Sequence, residues 1–134
     1  MGTVLIAEKD DGNRAGRTVL LVEPFERTRD WYKERIEAAE YRVIATASIA
    51  EGIAEANHNR PDAVICYLGF PGCSGLAICD ELEHLDVPII FISSGQDEVT
   101  KKIFRKEGVM SFDKSHWKEV LSHLQEVAPL ADSP

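Results

Sequence analysis

Long hydrophobic runs are missing from this sequence. No apolar stretch approaches the roughly 18–20 residues that a membrane span needs, and the first residues do not build a secretory leader. Basic charge is scarce as well: 15 Lys and Arg stand against 23 Asp and Glu, a formal net charge of −8. A nucleic-acid face draws its affinity from clustered Lys and Arg, so that class of partner is excluded. Cysteine is limited to three, an odd number that fits a reducing compartment better than a disulfide framework. No G-x-G-x-x-G follows an apolar strand and no G-x-x-x-x-G-K occurs, so no phosphate cradle for a nucleotide is encoded. These absences lead us to expect a soluble, cytoplasmic protein with neither membrane nor nucleic-acid partners.

What is present fits one compact domain. The 134 residues can bury a real core but are too few for two domains, and 44% hydrophobic with 28% charged residues is ordinary globular composition. Apolar runs of strand length lie at Thr18–Val22, Arg42–Thr46, Ala63–Leu68, Pro88–Ser93 and Val109–Phe112. They are near-continuous in Val, Ile and Leu, as expected of strands with both faces covered. Between them run segments of helical period. Trp31, Tyr32, Ile36 and Ala39 form one stripe. Ser48 with Glu51 makes a capping box ahead of Ile49, Ile53 and Ala56. Leu76, Cys79 and Leu82 mark a third helix, Val99, Ile103 and Phe104 a fourth stopped by Gly108, and Trp117, Val120, Leu121 and Leu124 the last. Strand and helix alternate five times. The expected architecture is an α/β flavodoxin-like (βα)5 three-layer sandwich with a parallel sheet in the order 2-1-3-4-5.

The start of the chain complicates that count. Thr3-Val4-Leu5-Ile6-Ala7-Glu8 echoes Thr18-Val19-Leu20-Leu21-Val22-Glu23, so two first strands compete. We assign Thr18–Val22 to the sheet, because one helix then fills the interval to Tyr41. Residues 1–16 become an extension, either strand-like or disordered, residues 17–128 the domain, and residues 129–134 a short tail.

The run Pro61-Asp62-Ala63-Val64-Ile65-Cys66-Tyr67-Leu68-Gly69-Phe70-Pro71-Gly72-Cys73-Ser74-Gly75-Leu76 is an apolar strand, a tight Pro/Gly loop and a helix start. It resembles the phosphoacceptor segment of bacterial response-regulator receiver domains, and the resemblance extends from about Arg17 to Ala128. It implies a crevice beyond the carboxyl ends of the strands holding two acids after the first strand, a phosphoacceptor aspartate after the third, a hydroxyl after the fourth and a lysine after the fifth.

On this chain the acidic pair falls on Glu23 and Pro24, the acceptor on Tyr67, the hydroxyl on Ser93 and the lysine on Lys114. The switch positions implied are Ser93 and, of Ser111 and Phe112, the aromatic Phe112. The pocket therefore keeps its scaffold and loses its chemistry. A phenol that titrates near 10 supplies neither the carboxylate nor the metal bridge. A lone Glu23 beside Lys114 makes a poor Mg²⁺ site, so no cofactor is expected and Mg²⁺ binding should be weak or absent. Asp62 lies at the wrong end of its strand to substitute, and Asp113 precedes Lys114 on the opposite face.

The reading is an atypical receiver, a pseudo-receiver and not an enzyme, acting in two-component-type signal transduction through protein–protein contact. Its partner would be a signalling protein or histidine kinase. The resemblance implies a docking face on the fourth helix, fifth strand and fifth helix, a face that also serves homodimers. Here it carries Lys101, Lys102, Phe104, Arg105 and Lys106. One rival is a phosphorylatable regulator with an unusual acceptor. A rival of another class is a redox or metal-responsive module using Cys73, although the spacing of Cys66, Cys73, Cys79 and His84 matches no zinc pattern.

Overall fold

A computed structural model describes residues 17–70, 75–94 and 111–130. The extension 1–16, the Pro71–Ser74 loop with Cys73, the expected fourth helix with its strip Lys101, Lys102, Phe104, Arg105 and Lys106, and the last four residues lie outside the described residues.

Five parallel strands form one sheet: β1 (Thr18–Val22), β2 (Arg42–Thr46), β3 (Ala63–Tyr67), β4 (Ile89–Ser93) and β5 (Ser111–Asp113). Their order is β2-β1-β3-β4-β5, the flavodoxin-like order that the alternating pattern implied. Registers of Leu20 against Val64 and Cys66 against Phe91 lock the centre. Val19 to Val22 and all of β3 are buried, each large side chain contributing roughly 1.5–3 kcal/mol by leaving water. The third and fourth strands are one residue shorter than expected. The fifth, expected from Val109, is described from Ser111 and runs on to Asp113, because Ser93 at the end of β4 still has Asp113 as its ladder partner.

Helix α1 (Glu26–Ala38) follows β1 and buries Tyr32 and Ile36. It stops at Glu40, whose φ of 76° is the left-handed conformation that ends helices. Trp31 departs from the expected apolar stripe and stays 36% exposed. Neighbouring helical residues point about 100° apart, so Trp31 and Tyr32 cannot both face the sheet. The indole lies instead edge-on to Trp117 at 5.9 Å, with the Arg35 guanidinium over it at 3.7 Å.

Helix α2 (Ile49–His58) begins at Ser48, whose hydroxyl accepts from the Glu51 N–H at 3.1 Å. The Glu51 carboxylate reaches back to the Ala47 N–H at 3.3 Å, one residue before the usual capping-box partner. Gly52 lets this helix sit on β1, because a Cβ there would lie 2.8 Å from Val22 Cγ2. Helix α3 (Ala77–Leu82) buries Ile78 and Leu82, while Leu76 and Cys79 pack at its margin. Cys66 is fully buried in β3. The C-terminal helix α4 (Trp117–Val127) buries Val120 and Leu124 and shares a sheet face with α1.

At the amino ends of the strands, Arg17 Nε donates to the Pro129 carbonyl at 2.9 Å and its guanidinium pairs with Asp62 at 3.2 Å. Tyr41 donates its hydroxyl to the Ala128 carbonyl at 2.8 Å. No helix among the described residues is long and apolar enough to cross a membrane.

Candidate functional site

Parallel pairing carries the carboxyl ends of β1, β3, β4 and β5 to one edge of the sheet. Glu23 follows β1 and continues its ladder by donating its N–H to the Thr46 carbonyl at 3.0 Å. Its side chain is fully buried. Oε2 accepts the Phe25 N–H at 2.9 Å, and Oε1 lies 3.6 Å from Lys114 Nζ without a hydrogen bond of its own. Burial pushes this carboxyl above its ordinary range. The Phe25 N–H, the Lys114 ammonium and the Arg29 guanidinium each oppose the rise without cancelling it. Arg29 also donates to the carbonyls of Glu23 and Pro24 at 2.9 and 3.4 Å, which fixes the turn between β1 and α1.

Tyr67 ends β3 and is 6% exposed. Its ring lies between three neighbours: the Lys114 ammonium at 4.2 Å from the ring centre, the Phe25 ring edge-on at 5.6 Å, and the Phe70 ring tilted at 6.0 Å. The phenol shares a 2.8 Å hydrogen bond with Ser94 Oγ. Lys114 is mostly buried, and its position is set by its backbone. Its N–H donates to the Ser93 carbonyl at 2.7 Å, and its own carbonyl accepts the Tyr32 hydroxyl. Burial, with the Asp113 and Glu23 charges, drives the Tyr32 phenol far above its usual value, so it stays a donor.

Glu23, Tyr67 and Lys114 thus meet at one point. Pro24 enters only as a carbonyl acceptor for Arg29, and Ser93 contributes its carbonyl to the Lys114 N–H. The hydroxyl that reaches Tyr67 belongs to Ser94, because a phenol extends further past the strand end than a carboxylate would. Phe112 lies in β5 with its ring 5.7 Å from His123 of α4. Asp113 is engaged locally, accepting the Ser115 N–H at 2.9 Å and its hydroxyl at 2.6 Å. Asp62 sits at the opposite end of the sheet, accepting the Thr18 N–H at 2.8 Å. Phe25, half-exposed over the site, escaped the sequence reading; its one signal was an aromatic two residues beyond Glu23. Closing the floor, Gly75 donates its N–H to the Leu68 carbonyl at 2.8 Å, and a Cβ on it would lie 2.2 Å from the Tyr67 carbonyl oxygen. Among the described residues no cluster of His, Cys, Asp or Glu is placed to hold a metal ion.

The model of the response regulator receiver domain matches residues 19–122, from β1 into α4. The chain belongs to the response regulator receiver domain family. The polar-differentiation response regulator DivK of Brucella anthropi is 30% identical over 90 residues, covering 61% of this chain and 73% of that protein. The receiver domain of HemR from Leptospira biflexa, in its non-phosphorylated form, superposes with a TM-score of 0.70 at 26% identity, covering 88% of this chain and 98% of that one. The chemotaxis protein CheY4 of Vibrio cholerae shares the fold at a TM-score of 0.70 and 22% identity, with 83% and 98% covered. As a receiver domain, the chain is a component of two-component signalling.

Proposed function

We propose that this receiver domain signals through protein–protein contact without being phosphorylated at the end of β3. The observation that carries the reading is the seat of Tyr67. Its ring occupies the space in front of Lys114, and its hydroxyl is already satisfied by Ser94. By the family resemblance this is the acceptor position, and a phenol there does not supply the carboxylate from which an acyl phosphate forms.

The residues present do not fit Mg²⁺. Of the two Glu23 oxygens, one is taken by the Phe25 N–H and the other faces an ammonium, and Pro24 has no side-chain donor. A hard dication needs one or two free carboxylates besides water and phosphate. The pocket balances one acid against one base and has little electrostatic call on a dication. In this reading the domain has no enzymic role, and its surface is presented constitutively or controlled by its partner. That partner is another signalling protein, a histidine kinase among the candidates, and by the family resemblance the docking segment includes Lys101, Lys102, Phe104, Arg105 and Lys106, a mainly basic run in an acidic sequence.

Incubation with a small acyl-phosphate donor and Mg²⁺, followed by intact mass measurement, tests this. The mass should not change. A stable added phosphoryl group on any residue of the pocket would establish the alternative, a regulator with an unusual acceptor.

A further inference from the structure

The two edges of the sheet differ. β5 presents three residues, Ser111–Asp113, with a hydroxyl at one end and a carboxylate at the other. β2 presents five, Arg42–Thr46, with Val43, Ile44 and Ala45 at its centre. Those three pack against the core, yet none of them is fully buried. Edge strands are ordinarily protected from other chains by lysine, proline, a bulge or a covering segment. β2 contains no proline, and its ladder to β1 runs without a bulge from Arg42 to Thr46. Its one charge, Arg42, sits at the first position.

Backbone parity defines what this edge offers. Along a parallel ladder, alternate residues direct both N–H and C=O to the same neighbour. Arg42 donates its N–H to the Arg17 carbonyl at 2.9 Å, and the Thr46 carbonyl accepts from the Glu23 N–H at 3.0 Å. Arg42, Ile44 and Thr46 therefore bond to β1, while Val43 and Ala45 turn their groups outward. Neither outward residue has a backbone partner among the described residues. The two sets flank Ile44 evenly. A second β2, laid antiparallel about a two-fold axis at Ile44, would place Val43 of each copy opposite Ala45 of the other. That is the hydrogen-bonded pair of an antiparallel ladder, and Ile44 then meets its own counterpart.

The side chains agree with that axis. Gly52 seats α2 against Val22 and Thr46, so Arg42, Ile44 and Thr46 share the sheet face on which α2 lies. A two-fold normal to the sheet keeps this face common to both copies. Exposed Arg42 would then lie beside Thr46 of the other copy, next to the turn where the exposed Glu51 carboxylate accepts the Ala47 N–H. Both flanking helices are anchored inward of the edge. α2 rests on Val22 of β1, and α1 lines a cavity shared with Ile65 of β3 and with α4.

We propose that the β2 edge is a docking surface for a second copy of this chain, joining two five-stranded sheets into one continuous sheet. β5 and α4 of each copy would stand at the far ends of that sheet, free to meet a partner. The two Tyr67 pockets would point in opposite directions, because the paired strands are antiparallel. The assembly would then present two contact faces at once.

Sedimentation equilibrium of the full chain tests this, in moderate salt to screen the −8 that each copy carries. The parent should dimerise as concentration rises through the micromolar range. Ala45→Pro removes an outward N–H and leaves the bonds to β1 in place, as edge strands allow. Its dissociation constant should rise about tenfold or more, since half of the intermolecular bonds are lost. Surface charge supplies a second arm that does not touch the strand backbone. Arg42→Glu and Glu51→Arg should each weaken the dimer, and the double exchange should restore it. A parent that stays monomeric overturns the proposal. So does a dimer that survives Ala45→Pro, or, should that variant not fold, one indifferent to Arg42→Glu.

Discussion

The Lys114 ammonium stands 4.2 Å from the centre of the Tyr67 ring, on the same side chain that pairs with buried Glu23 at 3.6 Å. Lysine over an aromatic face gains about 0.5–2 kcal/mol, more as water is excluded. The cation is therefore engaged within the fold by one carboxylate and by two aromatic rings, Tyr67 and, at 5.2 Å, Phe25.

Restoring carboxylates should undo that balance. With Tyr67→Asp and Pro24→Asp together, three acids would converge on one ammonium, each disfavouring ionisation of the next. The double variant should melt below the parent without Mg²⁺ and rise when Mg²⁺ is added. At tenfold over its dissociation constant the gain should be about 1.4 kcal/mol. A variant that folds yet shows no response to millimolar Mg²⁺ would mean that Glu23 and the new acids do not converge.

Glu23 should also leave a signature in pH. Below its ordinary value of 4.5 both folded and unfolded chains carry the protonated acid, and burial is then least unfavourable. As pH rises the unfolded chain ionises first, because the folded carboxyl titrates higher, so this group withdraws stability until the folded form has ionised too. Urea midpoints of Glu23→Gln relative to the parent should therefore climb with pH above 4.5 and then level off. A constant difference across that range would contradict the raised titration.

Gly75→Ala should be costly despite its small size. The added carbon would lie 2.2 Å from the Tyr67 carbonyl oxygen, a backbone atom with no rotamer to escape into. Overpacking of this kind costs roughly 1–3 kcal/mol, and the loss should appear as a lower chemical-denaturation midpoint. An unchanged midpoint would show that the loop after β3 shifts freely.

Residues 1–16 should be dispensable for the stability of the parent protein, because Thr18–Val22 already fills the central slot. Deleting Met1–Gly16 should leave the melting temperature almost unmoved. A large drop would count against that expectation and show that the segment contributes to stability.

Strand identity and order were legible because fully buried parallel strands leave continuous apolar runs, as in Ala63-Val64-Ile65-Cys66. Helix faces were less so. Periodicity grouped Trp31 with Tyr32, yet only one ring of adjacent helical residues can face the sheet, and Arg35 and Trp117 provided a surface berth for the other. Within the site, Glu23, Tyr67 and Lys114 were readable from their places at strand ends. Ser94 in place of Ser93, and Phe25 over the ring, depend on how far a phenol reaches and how the β1–α1 turn folds. Neither quantity is written in a pattern of residue types.

Arg17 and Pro129 are joined by one hydrogen bond, so the residue before β1 and the segment after α4 meet at a single point. That point lies at the edge of the sheet opposite Tyr67. Circular permutation across this junction would need only a short linker. A fluorescent reporter or tethered module fused at either side would hang away from the aromatic pocket, leaving it open to an incoming protein.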